Sequence, residues 1–574
     1  MRIQHRLLIV CWLLALLIGS LAAAPLRPVH APHAMVASVH ELASRAGVEI
    51  MQAGGNAVDA AVATGFALAV VHPQAGNLGG GGFLLLRKAH GEVHFVDFRE
   101  KAPAAATENM YLDAQGNVIE NLSLVGYKAV SVPGSVAGLV YAEKKYGKLP
   151  LEKVIAPAIR LARDGFPLAW EDAKDLQDED LAKFPESKRI FQRDGKYYQP
   201  REILKQPELA RTLERIAKNP EDFYHGAMAR ELAAAVQKGG GLITADDLAR
   251  YEVKEREPIR GTYRGYEVIS APPPSSGGVA LVEILNILEG FDLAKSGNRS
   301  AATIHLTAEA FRRAFYDRAE FLGDPDFSKI PVPQLIDKRY AAAWRESIDP
   351  NHASVSEELK RPRIFNELER VAQFRPAALR EPENTTHFSV VDAEGNAVAV
   401  TTTLNDSFGS RVTAEGLGFL LNDEMDDFAS KQGVPNAYGL IQGPANAIGP
   451  GKRPLSAMTP TIVLKDGKLF LVLGSPGGPT IITTVTNVLM GVVDFGLDIQ
   501  EAVNAPRFHH QWLPDAIHVE DRLSPDTMTL LRSKGHKLKV EHFWGDGECI
   551  MVDPKTGERL GASDARNNGR AVGY

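Results

Sequence analysis

Residues 384–403 constrain this chain more than any other stretch. Asn384-Thr385-Thr386-His387-Phe388-Ser389-Val390-Val391-Asp392 alternates as a β-strand does, with Phe388 and Val390 on one side and His387, Ser389 and Val391 on the other. Asp392-Ala393-Glu394-Gly395-Asn396 reads as a turn, and Ala397 to Thr403 as the returning strand. A five-residue loop sets Thr385 opposite Thr403, and a four-residue loop sets it opposite Leu404. Either register brings two hydroxyls to one strand end. Threonine is also a good strand former in its own right, so the hairpin alone leaves a catalytic and a purely structural reading open.

A chain of 574 residues, 44% hydrophobic and 24% charged, has the composition of an ordinary globular protein with a sizeable core. Its net charge of -7 and the lack of a basic block argue against a nucleic-acid partner. The first 24 residues read as a bacterial export signal. Arg2, His5 and Arg6 precede the apolar run Leu7 to Leu21, and Ala22-Ala23-Ala24 supplies small residues for cleavage. The periplasm is the expected destination, with the uncleaved run as an anchor the alternative. Once Cys11 is lost with the leader, Cys549 is alone and no intramolecular disulfide forms. Cys549 opens an apolar strand, where a buried, inert thiol is expected.

His40 to Gln52 has helical apolar spacing and ends at Gly54-Gly55. Asn56 is placed to cap a second helix, Ala57 to Val71, which is apolar nearly all round apart from Asp59 and so should be buried. The run Gly79-Gly80-Gly81-Gly82 lacks the Gly-Lys-Ser/Thr sequel of a phosphate loop. Close backbone approach beside a buried site is the better use of it. Strands Phe83 to Arg87 and Glu92 to Phe98 follow, and Arg99 stands where the second meets a loop. Its guanidinium can hold a carboxylate bidentately, or it can pair at the surface with Asp97 or Glu100.

From about 130 to 380 the pattern is mostly helical: Leu151 to Arg163, Pro207 to Ala217, Val279 to Leu288 and Ala301 to Leu322. Ser275 and Ser276 lack the Gly-x-Ser-x-Gly elbow of a nucleophile. Ser356 to Asn384 reads as an exposed connector. Asn422-Asp423-Glu424-Met425-Asp426-Asp427 gathers four acids without the glycine and terminal glutamate of a calcium loop, and suits a substrate ammonium. Residues 432–451, with Tyr438, have the composition of a mobile flap. Asp466-Gly467 joins two apolar strands and sets Lys465 opposite Lys468. Extending that register puts Ser456 beside Gly477, next to consecutive glycine N–H groups that suit an oxyanion hole.

Together these stretches resemble the γ-glutamyltransferases (γ-glutamyltranspeptidases) of the N-terminal-nucleophile hydrolase superfamily, over Met35 to Tyr574. The resemblance is carried by Gly54 to Ala61, His72 to Gly82, Asp97 to Glu100, Thr385 to Ser389, Lys452 to Ser456, Gly474 to Gly478 and Ala505 to Trp512. It implies an α+β fold, a four-layer αββα sandwich made as one precursor. That precursor cuts itself between Asn384 and Thr385 into two intertwined subunits, 25–384 and 385–574. Thr385 would be the nucleophile, activated by its own freed amino group and oriented by Thr403. Gly477 and Gly478 would form the oxyanion hole. Arg99 and Ser456 would hold the α-carboxylate of a γ-glutamyl donor, Asn405, Glu424 and Asp427 its α-ammonium, and Tyr438 would gate the pocket.

The implied donors are glutathione and related γ-glutamyl compounds, the acceptors water, amino acids or dipeptides, and no cofactor or metal is required. The His509-His510 pair is then structural. One departure stands out: Ala457 occupies a position where the family motif has a second serine. Two rivals follow from the same scaffold, a glutaryl cephalosporin acylase and a non-catalytic periplasmic binding protein.

Overall fold

The computed structural model describes residues 27–368, 385–431, 433–434, 436 and 439–574. The leader, Asn384 and Tyr438 lie outside the described residues. The strands of the two main sheets are, in chain order, β1 (Val29–Ala31), β2 (Met35–Ser38), β3 (Gly81–Arg87), β4 (Val93–Phe98), β5 (Lys254–Arg256), β6 (Ile259–Tyr263), β7 (Tyr266–Ser270), β8 (Thr385–Val391), β9 (Ala397–Thr403), β10 (Thr461–Lys465), β11 (Lys468–Leu473), β12 (Cys549–Val552), β13 (Arg559–Ala562) and β14 (Arg570–Gly573). The first sheet runs β14-β2-β8-β9-β3-β4-β5 and the second β1-β13-β12-β11-β10-β7-β6, antiparallel throughout.

The alternation of each strand sorts its side chains between two cores. Phe388, Val390, Val398 and Val400 enter the core under one helical layer, whereas Val391, Ala397 and Ala399 enter the core between the sheets. Ile462 and Val472 face them from the second sheet, while Val463, Leu471 and Leu473 turn to the other helical layer. Helices α1 (Glu41–Gln52), α2 (Ala57–Val71) and α3 (Ser135–Tyr146) cover the first sheet. On the second sheet lie α4 (Gly277–Leu288) and, beside it, α6 (Thr480–Val493), with α5 (Ala301–Phe321) packed against α4. The result is the expected αββα sandwich.

Local chemistry explains the best-defined pieces. Asn56 and Asp59 form a capping box at the start of α2, and every residue of that helix is buried. Asp59 is tied down by the backbone N–H groups of Asn56 (2.7 Å), Lys148 (3.0 Å) and Leu149 (2.7 Å). Full burial of a side chain such as Phe66 is worth roughly 1.5–3 kcal/mol. The glycine run does serve close approach. A Cβ on Gly80 would lie 1.9 Å from the Thr403 carbonyl oxygen, and one on Gly82 would lie 2.3 Å from that of Thr401.

The described part of the connector is largely exposed, as expected, but it is pinned at points: Ser356 and Leu368 are buried, and Arg361 pairs with Asp317 at 2.6 Å and Glu320 at 2.9 Å. The helical middle also hides the hairpin β6–β7, turned by Arg264 (φ 52) and Gly265 (φ 82). Among the described residues no helix is long and apolar enough to cross a membrane.

Candidate active site

β8 and β9 pair without interruption, from Val391 opposite Ala397 to Thr385 opposite Thr403. The loop is therefore the five-residue one. Asp392 Oδ1 fixes it by accepting from the N–H groups of Glu394 (3.0 Å) and Asn396 (2.9 Å). Thr385 Oγ1 and Thr403 Oγ1 lie 3.3 Å apart on the face between the sheets. Thr403 Oγ1 also accepts from the Asn405 N–H at 2.9 Å.

His387 lies on the same face, wholly buried. Its Nδ1 is 2.8 Å from Thr401 Oγ1 and its Nε2 3.2 Å from Ser389 Oγ. Burial lowers its pKa to about 3, so the ring is neutral. Gly474 passes directly over it, where a Cβ would come within 2.2 Å of the ring. Beyond, Gly477 (φ 125) and Gly478 (φ 50) turn their carbonyls toward the start of α6. Thr480 Oγ1 and N–H donate to the Gly477 carbonyl at 2.7 and 2.9 Å. Among the described residues neither glycine N–H donates to an acceptor. Thr385 borders two cavities. Gly478 lines a small one of about 20 Å3, and Gly477 lines a wider one of about 300 Å3 that also carries Asp172, Asp175 and Asp546.

The smaller cavity gathers the remaining expected residues that are described: Thr403, Arg99, Asn405, Glu424, Asp427 and Ser456. Arg99 is fully buried, not a surface residue. Its N–H donates to Asp97 Oδ1 at 2.9 Å and its carbonyl accepts from Tyr251 Oη at 2.9 Å, which fixes the backbone where β4 ends. Nε donates to the Pro454 carbonyl at 3.2 Å and Nη2 to Asp427 Oδ2. Nη1 lies 2.6 Å from Glu424 Oε1, an ion pair without the directional geometry of a hydrogen bond. Burial opposes the charge of Arg99, but Glu424, Glu100 and Asp427 together hold its pKa above the ordinary value. Burial in turn raises Glu100 to about 7 and Glu424 well above its usual range, against the pull of Arg99.

The acidic run divides. Asp423 is structural: Oδ1 accepts from the Asp406 N–H at 2.9 Å and Oδ2 from Asn405 Nδ2 at 3.2 Å. Asp426 accepts from Ser123 Oγ at 2.6 Å. Glu424 and Asp427 alone of the four meet Arg99.

Ser456 reaches the cavity by a route the extended register misses. Lys465 does oppose Lys468, but a bulge between Val463 and Leu464 shifts the ladder by one residue, so Thr461 meets Leu473. Ser456 leaves the hairpin altogether. Its N–H donates to the Pro274 carbonyl at 2.9 Å, and its carbonyl accepts from the N–H (2.8 Å) and Oγ (2.7 Å) of Ser276. Ser275 and Ser276 thus brace this segment rather than react. The Ala457 methyl lines the cavity, and Thr459 Oγ1 donates to the Ala457 carbonyl at 2.9 Å, so it does not replace the missing hydroxyl.

Cys549 is buried and burial pushes its thiol up, which leaves it inert. His509 and His510 are structural, the first bonded to Thr483 (2.9 Å) and Gln511 (2.9 Å), the second beside Arg312 (3.0 Å) and Asp515 (3.2 Å). His305, Glu309 and His536 cluster outside both cavities. There His305 Nδ1 is 2.7 Å from His536 Nε2, and Arg312 and Arg313 occupy Glu309, a poor setting for a cation. Sequence reasoning missed Arg318, which also lines the smaller cavity. It interrupts an apolar row, Phe311, Ala314 and Phe315 on α5 and Leu322 just beyond it, where the sequence pattern does not tell a buried arginine from an exposed edge.

A family model described as "Gamma-glutamyltranspeptidase" matches residues 43–574. A glutathione hydrolase proenzyme of Escherichia coli (strain K12) is 52% identical over 544 residues, covering 94% of this chain and 91% of that protein. A glutathione hydrolase proenzyme of Pseudomonas sp. (strain A14) is 50% identical over 570 residues, covering 96% of each. Among solved structures, a cephalosporin acylase from Bacillus halodurans aligns with a TM-score of 0.80 at 30% identity, over 97% of this chain and 98% of that one. With its two stacked sheets and paired threonines, the chain belongs to the γ-glutamyltranspeptidase family.

Proposed function

We propose that this chain is a precursor that cuts itself between Asn384 and Thr385, and that Thr385 then takes the γ-glutamyl group from glutathione and related amides. The observation that carries this reading is the pairing in the smaller cavity. The Arg99 guanidinium and the Glu424 carboxyl stand 2.6 Å apart in the cavity that Thr385 also lines. That pair is complementary to an α-amino acid zwitterion: carboxylate toward Arg99 and Ser456, ammonium toward Glu424, Asp427 and Asn405. The γ-carbonyl of such a group can then extend to Thr385 Oγ1.

Before the cut, Thr385 Oγ1 attacks the Asn384 carbonyl, and hydrolysis of the resulting ester frees the Thr385 amino group. That amine takes the hydroxyl proton, and Thr403 steadies the oxygen as it attacks the γ-carbonyl. Negative charge on the tetrahedral intermediate falls to the Gly477 and Gly478 N–H groups. The amine product, cysteinylglycine in the case of glutathione, departs with the proton through the wider cavity. Water then releases glutamate from the γ-glutamyl ester, or an amino acid or dipeptide accepts it. Tyr438 gates the site, residues 25–384 and 385–574 stay together as a heterodimer, and the leader directs export to the periplasm.

Similarity to glutathione hydrolase proenzymes at 52% and 50% identity supports this reading over the acylase, at 30%. A glutaryl group lacks an α-amine and would offer Glu424 and Asp427 no cation beyond the Arg99 they already meet. The test is a denaturing gel with mass spectrometry of the junction, followed by turnover of γ-glutamyl and glutaryl p-nitroanilides. Expected are a small piece of 190 residues, 574 − 384, and preference for the γ-glutamyl anilide. A single uncut chain, or preference for the glutaryl anilide, would overturn the proposal.

A further inference from the structure

Arg318 stands in α5, and only 2% of it is exposed. Nε donates to Ser276 Oγ at 2.9 Å, whereas Nη1 has no hydrogen-bond partner. A buried guanidinium edge without an acceptor is costly, so its persistence beside a cavity points to a ligand. Burial lowers its pKa to about 10, against the field of Asp427, and the group stays charged at neutral pH.

The two arginines of the smaller cavity differ in their company. Arg99 donates to Asp427 and lies against the Glu424 and Glu100 carboxyls, so part of its attraction for an anion is already offset. Arg318 makes no carboxylate ion pair among the described residues. Nearby, Ala457 offers a methyl, and the hydroxyl of Thr459 is turned back on the Ala457 carbonyl. Arg318 is also coupled to the turn it faces, since the Ser276 hydroxyl that accepts from Nε donates to the Ser456 carbonyl.

We propose that Arg318 is a second donor-binding residue, which gives its Nη1–H to the α-carboxylate of the γ-glutamyl group where Ala457 gives nothing. The inference rests on the γ-glutamyl reading above and deepens it. Arg99 selects the zwitterion as a whole, and Arg318 makes the site demand the carboxylate. Donors that keep the ammonium but lose the carboxylate should be discriminated against chiefly by this residue.

The test compares the processed protein with its Arg318→Met and Arg318→Lys variants on two substrates. These are γ-glutamyl p-nitroanilide and 4-aminobutyryl p-nitroanilide, which is the same acyl chain without the α-carboxylate. For Arg318→Met, kcat/KM on the γ-glutamyl anilide should fall by about 10- to 100-fold, mostly through KM, the worth of a charged hydrogen bond. Its kcat/KM on the 4-aminobutyryl anilide should stay within about twofold of the parent. Arg318→Lys keeps the charge but loses the planar fork, so it should show a smaller loss, again on the γ-glutamyl anilide alone. It also covers the case in which the Met variant does not fold. Equal losses on both anilides would mean that Arg318 only props up Ser276 and Ser456, and unchanged kinetics would remove it from the site; either overturns the assignment. A parent protein that prefers glutaryl p-nitroanilide would instead overturn the γ-glutamyl reading itself, before any variant is measured.

Discussion

Two hairpins supply the chemistry around Thr385, and they do so in opposite ways. β8–β9 keeps one register along its whole length, and that regularity sets Thr385 beside Thr403. Both its faces are buried, so a slip of one residue would send every side chain to the wrong core. β10–β11 starts as regularly, through the turn at Asp466 (φ 50) and Gly467 (φ 75), but it gives up its register at a bulge. The added twist and the absence of a side chain at Gly474 let the chain cross His387 and carry Gly477 and Gly478 to Thr385. Hydroxyls are placed by a ladder that holds, and the glycine N–H groups by one that breaks.

The hardest blow to this contrast is Thr385→Ala, which removes the hydroxyl that the regular ladder delivers. The chain should stay uncut on a denaturing gel and lose more than about a thousandfold in turnover. Thr385→Ser should still cut. Two pieces from purified Thr385→Ala would place the nucleophile elsewhere.

Next in size is Gly474→Ala, which forces a Cβ to within 2.2 Å of the His387 ring. Overpacking of this kind costs about 1–3 kcal/mol and should lower Tm by several degrees. Activity should fall too, because the loop that carries Gly477 and Gly478 is lifted. A Tm equal to the parent's would mean that His387 does not set the height of that loop. Gly467→Ala probes the turn of the same hairpin, where there is open space but a φ of +75. Only the left-handed backbone is penalised there, by about 1–2 kcal/mol, and denaturant unfolding should show that loss with kinetics unchanged.

The smallest change is Ala457→Ser, on the approach to β10. It should lower KM for a γ-glutamyl donor several-fold and leave kcat nearly alone, the pattern of uniform binding. A raised KM would show that the cavity is shaped around the methyl.

The regular hairpin could be read directly, because alternating side chains and a short polar loop leave few registers. The same holds for the cap of α2 and for the glycine run, whose effects stay within a few residues or one strand crossing. The bulge could not, since Leu469 to Leu473 are apolar and fit one register as well as the next. Nor could the burial of Arg99. The groups that bury it come from residues 424–427, far along the chain, and a short acidic run does not announce which of its members turn inward. Asp423 and Asp426 serve the scaffold, Glu424 and Asp427 the cavity, and only the 3-10 turn at Glu424–Asp427 separates them. Arg318 was hidden by its helix, where a charged residue within an apolar row looks like an exposed edge until its neighbours are known.

The strand order carries a consequence for how such a molecule comes to exist. In the first sheet β8, β9 and β14 follow residue 384 while β2, β3, β4 and β5 precede it. The second sheet mixes β1, β6 and β7 with β10 to β13 in the same fashion. Neither main sheet belongs to one side of the proposed cut, so neither side alone contains the complete sandwich. The continuous chain acts as a template used once: it brings the halves together, and the cut then erases the link that allowed assembly. After that, durability rests on how slowly the pair comes apart rather than on any equilibrium with its separated halves. Maturation is then irreversible in a topological as well as a chemical sense.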